Sequence, residues 1–318
     1  MGNVFRVFRS RKFRIAVNGV FVTGALTAAA LTGLHFVHSG WPLARANPFL
    51  VVTAGVLFLA AYAFKAWGWQ RLFAPGERPH ALTLAAAGGA ASVGGVALPG
   101  RFDEAIRIAV VRRLPGKTVG LGAICLTLIV VGLLDSAALT PMASIAAAGS
   151  ESGGVRAGFA LVAAAGIAAA LVVLSLPRLA QLGWVARFRL GRWIQDHCAG
   201  ARSASQAWAL ISVSWALRGV AVFVLLNALA VGNSFPLALA FLCASAASAA
   251  LPIAPAGAAT QAGAGAAILI ISGVPKADAL AFSVAAQAMV IVAGAACVAV
   301  AGAWHLGARL KHRLVPVL

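Results

Sequence analysis

Residues 119–139 read VGLGAICLTLIVVGLLDSAAL, a run of 21 residues whose single charge is Asp135. A helix needs about 20 apolar residues to cross the roughly 30 Å of hydrocarbon in a bilayer, so this run is long enough to span. Its apolar residues are continuous and do not form the stripe of a soluble amphipathic helix. Five more runs share this character, at 15–36, 48–67, 155–176, 206–230 and 279–304. The 318 residues are 62% hydrophobic and 10% charged, with mean hydropathy +0.95, more apolar surface than a water-soluble core can hide. The expected fold class is therefore all-α: a polytopic integral membrane protein with about six spanning helices, forming a single transmembrane domain over 1–318. The 34 glycines and abundant alanines suit helices that associate through close backbone contact.

Two apolar stretches are broken. Residues 81–98 run into Pro99-Gly100 and then Arg101, and 235–271 are interrupted by Leu251-Pro252-Ile253-Ala254-Pro255-Ala256-Gly257. Charge placement shows what these breaks do, because Lys and Arg near span ends favour the cytoplasm. With the N-terminus inside, alternation puts 21 of the 25 Lys and Arg on the cytoplasmic side, in the basic segment 1–14 and in 65–78, 101–117, 178–202 and 309–313. Arg45, Arg156 and Lys276 fall outside, and Arg218 lies within a span. The assignment requires both broken regions, 81–114 and 235–272, to return to the side they left, the first from the cytoplasm and the second from outside. Both termini are then cytoplasmic, and two re-entrant helical hairpins form an inverted-repeat-like arrangement of the kind that builds a central site in transporters. Broken helices expose backbone N–H and C=O groups, tolerated at depth only beside protein or a wet cavity. The alternative is that Pro and Gly merely kink packed helices. Leu43-Ala44-Arg45-Ala46 imitates a signal-peptidase site, but the preceding apolar run is too long for a signal-peptide core, and a retained first helix is expected.

The stretch 92–107 concentrates polarity. Asp103 and Glu104 fall in the first turn of a helix after the Pro99-Gly100 break, where carboxylates suit the positive end of the helix dipole. Arg107 stands four residues beyond Asp103, within reach of an intrahelical pair, and the planar fork of Arg101 suits a lipid phosphate. The competing reading is a solvated basic helix lying at the interface. Arg218 sits mid-span and needs a partner: Asp135, or a carboxylate or phosphate entering a central cavity. Gln261, Gln287 and Asn227 are lesser candidates, since neutral amides either bind head groups or join helices.

The net charge of +18 flanks apolar runs without interleaved aromatics, which points to anionic lipid head groups and not to nucleic acid. The four cysteines, Cys125, Cys198, Cys243 and Cys297, form neither a paired motif nor a metal spacing, so no metal or cofactor is expected. Trp41, Trp67, Trp69, Trp184, Trp193, Trp208 and Trp304 lie near span ends and read as interfacial anchors. No nucleophile elbow, phosphate loop or metal motif marks a catalytic constellation.

At these residues the chain resembles the lysylphosphatidylglycerol synthase transmembrane family, also called flippase-like. Its hallmark is similar to Leu98-Pro99-Gly100-Arg101-Phe102-Asp103-Glu104 followed by Arg107. A second hallmark resembles Pro255-Ala256-Gly257, Gln261 and Gly273-Val274, with Gln261 where the family carries glutamate and Gln287 where an arginine is common. The resemblance implies a lipid-handling membrane domain, joined in some relatives to a soluble aminoacyl transferase. Too few residues follow the last apolar run to form such a domain, so aminoacyl transfer is not expected of this chain.

The sequence thus leads to a lipid translocase or lipid-binding transporter for anionic phospholipids or lipid-linked phosphates. Its expected site residues are Arg101, Asp103, Glu104, Arg107, Arg218, Gln261 and Gln287. A membrane-embedded enzyme of lipid metabolism and an accessory subunit of envelope synthesis are the alternatives, and a homo-oligomer is compatible with either. The resemblance, with the Ala- and Gly-rich composition, implies a bacterial inner membrane.

Overall fold

The computed structural model describes residues 41–44, 46–97, 102–113, 119–180, 193, 200–250 and 257–314. Among them are nine α-helices and no strand: α1 (Pro48–Arg71), α2 (Ala81–Ala97), α3 (Phe102–Arg113), α4 (Leu121–Ala148), α5 (Gly153–Ala180), α6 (Ala201–Ala228), α7 (Phe235–Ala250), α8 (Gly257–Ile271) and α9 (Lys276–Leu314). Five of them, α1, α4, α5, α6 and α9, are long and apolar enough to cross a membrane. They correspond to five of the six expected runs; the sixth, 15–36, and the basic segment 1–14 lie outside the described residues.

Side-chain contacts fix the direction of each long helix. Asn47 caps α1, accepting from Phe49 N at 3.0 Å, and its own N–H donates to Ala228 O at the end of α6. Further along, Ser214 Oγ of α6 donates to Ala61 O at 2.7 Å, and Gly68 packs against Ala207 and Ile211, so α1 and α6 are antiparallel. α4 also opposes α1, since Trp69 Nε1 donates to Thr127 Oγ1 at 3.0 Å while the earlier Lys65 meets the later Asp135. α5 folds back along α4 with Gly166 against Ser136, and α9 runs parallel to α1, Met289 touching Gly55 and Gly294 approaching Tyr62. One end of the bundle therefore gathers Arg71, Arg78, Arg178 and Arg202, while the opposite end gathers Arg156 and Lys276 beside Glu151 and Asp278. The window of α4 is the most enclosed at 56%, against 28% for α1 and α5, whose outer faces present Phe49, Val52, Leu161 and Leu171 as an apolar surface.

The four short helices form two hairpins. α2 leaves the basic end at His80, which stacks on Trp304 with ring centroids 6.2 Å apart. It passes Tyr62 at Gly88 and crosses α9 where Gly89 meets the backbone of Gly294, so closely that a Cβ on Gly89 would collide with it. α3 returns along α2 with Ile106 filling the space beside Gly94, and α4 then starts at the same basic end. α7 begins at the other end, with Phe235 against Phe223 and Pro236 against Gly149. α8 comes back along it, Gly265 lying against Phe241 and Ser245, and a turn at Gly273 (φ 91°) leads into α9. The hairpins thus enter from opposite ends, as the broken runs predict, and meet where α2 touches α8. At about 25 Å for α2 and less for α3, α7 and α8, none of these helices reaches across the roughly 30 Å of a hydrocarbon core. The breaks themselves, 98–101 and 251–256, lie outside the described residues.

Candidate functional site

Midway along the bundle α1, α2, α4 and α6 bring polar side chains together. The Tyr62 hydroxyl lies 2.6 Å from Ser92 Oγ of α2 and donates to Val290 O of α9 at 3.4 Å. Lys65, one turn further along α1, places Nζ 2.7 Å from Asp135 Oδ2, while Trp215 Nε1 donates to Asp135 Oδ1 at 2.8 Å. Lys65 is therefore not part of a cytoplasmic loop, although charge placement along the sequence counts it with the stretch 65–78. The helix continues to Arg71 and draws the ammonium into the bundle, where Asp135 offsets its charge.

Arg218 forms no salt bridge with Asp135, the first partner the sequence suggests; the carboxylate oxygens accept from Lys65 and the Trp215 N–H. Its guanidinium lies instead against two aromatic rings, 5.1 Å from the centroid of Trp215 and 5.5 Å from that of Tyr62. Such stacking holds a planar cation through the ring quadrupoles and leaves its N–H edge able to donate. Among the described residues no carboxylate forms a salt bridge with Arg218. On the first hairpin Arg107 pairs with Asp103 at 3.5 Å, as the four-residue spacing predicts.

Of the expected set, Asp103 and Arg107 pair with each other on α3, and Arg218 lies on the rings of Tyr62 and Trp215. Glu104 shares the first turn of α3 with Asp103. Gln287 is half-buried on α9, one turn before Val290, and Gln261 is half-buried on α8, one turn before Gly265. Neither amide hydrogen-bonds to the cluster among the described residues. Arg101 lies outside the described residues. Asn227 donates to Phe223 O of its own helix at 2.8 Å, a local role. Trp69 is not an interfacial anchor: it is buried in the bundle with its N–H on Thr127.

The profile of the family described as "Lysylphosphatidylglycerol synthase TM region" matches residues 16–300, most of the chain and both hairpins. The chain belongs to the lysylphosphatidylglycerol synthase TM-region family. No curated protein and no solved structure matches it. Membership in the lysylphosphatidylglycerol synthase TM-region family, with five long apolar helices, makes the chain a multi-pass membrane protein tied to lipid metabolism.

Four residues of this family member's cluster escaped sequence reasoning: Tyr62, Lys65, Asp135 as the partner of Lys65, and Trp215. A signal for them exists. Tyr62 is the chain's single tyrosine, and both Tyr62/Lys65 and Trp215/Arg218 are spaced three residues apart, so each pair shares a helix face.

Proposed function

We propose that this chain is a lipid translocase that holds the head group of an anionic phospholipid or a lipid-linked phosphate at the mid-bundle cluster and moves it between leaflets. The observation that carries this reading is Arg218, a mid-span cation braced by Trp215 and Tyr62 with no carboxylate partner among the described residues. A charge is expensive inside a bilayer, and one kept there without a fixed carboxylate partner marks a site for an anionic group. Arg107 and Lys65 extend the positive field, and the opposed hairpins supply the discontinuous helices between which such sites form. Arg101, Glu104, Gln261 and Gln287 complete the expected lining. The basic end faces the cytoplasm by the positive-inside rule, and a bacterial inner membrane suits the family.

Transbilayer movement of fluorescent anionic lipids in proteoliposomes tests this. Wild-type protein is expected to accelerate anionic lipids over a zwitterionic control, and Arg218→Ala to abolish the acceleration. Equal rates in wild type and Arg218→Ala would defeat the reading.

A further inference from the structure

Asp135 does more in the cluster than cancel a charge. Its two oxygens are committed to Lys65 and to the Trp215 N–H, at 2.7 and 2.8 Å. The same indole carries Lys65 at 5.8 Å and Arg218 at 5.1 Å from its centroid, so both cations flank the ring whose N–H the carboxylate holds. A phosphate offers an ammonium and an indole N–H the same kind of anionic oxygens as a carboxylate does. The pair is also not sealed, since the Lys65 and Asp135 side chains are each 21% exposed.

Charge arithmetic gives this geometry a consequence. Around the Trp215 ring Lys65 and Arg218 stand against Asp135, which leaves one surplus positive charge. Without Asp135 the surplus would be two, in surroundings of low dielectric where an unpaired charge attracts a counter-ion strongly. An arriving anion therefore has to compete with Asp135 for Lys65.

We propose that Asp135 is a tethered competitor anion. It occupies Lys65 while the site is empty, yields Lys65 to a head-group phosphate, and reclaims it as the lipid leaves, so that it sets affinity and release. This role rests on the head-group site proposed above. It makes Asp135 a positioning residue whose removal strengthens binding, the opposite of what loss of a structural ion pair does.

The test measures binding of a soluble short-chain phosphatidylglycerol to the purified full chain by calorimetry, with lipid movement in proteoliposomes alongside. Asp135→Asn is expected to bind the probe about tenfold tighter and to move lipid more slowly at saturation. Lys65→Gln, which cancels the surplus charge, is expected to lose binding, and Lys65→Gln/Asp135→Asn, which restores one surplus charge, to return to wild-type affinity. Unchanged or weaker binding by folded Asp135→Asn overturns the competitor role. Should Asp135→Asn fail to fold, the double variant decides: wild-type affinity supports the role and lost binding overturns it. Wild-type protein that neither binds the probe nor moves anionic lipid defeats the head-group site itself. Movement lost in Arg218→Gln together with unchanged affinity in Asp135→Asn defeats only the competitor.

Discussion

Each hairpin is built of two short helices, and the two are opposite in chemistry. Region 81–114 carries Arg101, Asp103, Glu104, Arg107, Arg112 and Arg113, while region 235–272 carries no charged residue at all. The first reaches the cation cluster through Ser92, whose Oγ lies 2.6 Å from the Tyr62 hydroxyl. The second packs by small residues and rings, with Gly265 against Phe241, and Phe241 against Phe282 at 4.9 Å. Its Ser245 hydroxyl is buried without a hydrogen-bond partner among the described residues. A shared two-helix build therefore does not entail symmetry of role: one hairpin carries the charge, and the other carries the close packing.

The largest effect that could break this comparison is at the glycines. Gly89→Leu drives a side chain into the backbone of Gly294, which cannot move aside without displacing α9, and the expected outcome is loss of folded protein by size-exclusion chromatography in detergent. Gly265→Leu meets the Phe241 ring and the Ser245 hydroxyl, which can turn away, so the expected cost is about 1–3 kcal/mol, read as a lowered thermal midpoint. If Gly265→Leu proves the more damaging, the second hairpin is the tighter joint and the assignment of roles is reversed.

Next in size are the cations. Arg218→Gln is expected to lower the rate of anionic lipid movement by roughly thirtyfold, about 2 kcal/mol, because nothing else on α6 replaces a guanidinium held on two rings. Arg107→Gln is expected to cost only a few-fold in the same assay, since Asp103 already absorbs part of its field. Equal losses in the two variants would show that the charge of α3 is as directly engaged as that of α6.

The sequence made the membrane class, five of the six expected long runs and the opposed entry of the two broken regions legible, because run length and charge placement are one-dimensional signals that a bilayer reads directly. It also placed Asp103 and Arg107 on one turn of a helix, again a local relation. Contacts between helices were not legible. The partner of Asp135 depends on the rotation of α1 about its axis and on where that helix ends, and Lys65 falls inside the apolar run 48–67 while also opening the basic stretch 65–78, so composition does not decide between helix and loop there. Trp69 was misread for the same reason: nearness to a span end does not say which way the indole points.

The smallest expected effect is the sharpest test of the contrast. Gln261 stands where the resembling family carries glutamate, so an argument from resemblance gives it weight, while the geometry gives it little: it is half-buried on α8 and hydrogen-bonds to nothing in the cluster among the described residues. Polar contacts between membrane helices average about 0.6 kcal/mol, which limits the expected change for Gln261→Ala to about threefold in lipid movement. A loss beyond about tenfold would mean that the second hairpin touches the head group directly, because an amide that only joined helices cannot supply so much free energy. In that case recognition would be shared by a charged hairpin and a neutral one, and the surplus charge of the cluster would no longer suffice to explain which lipids the site accepts.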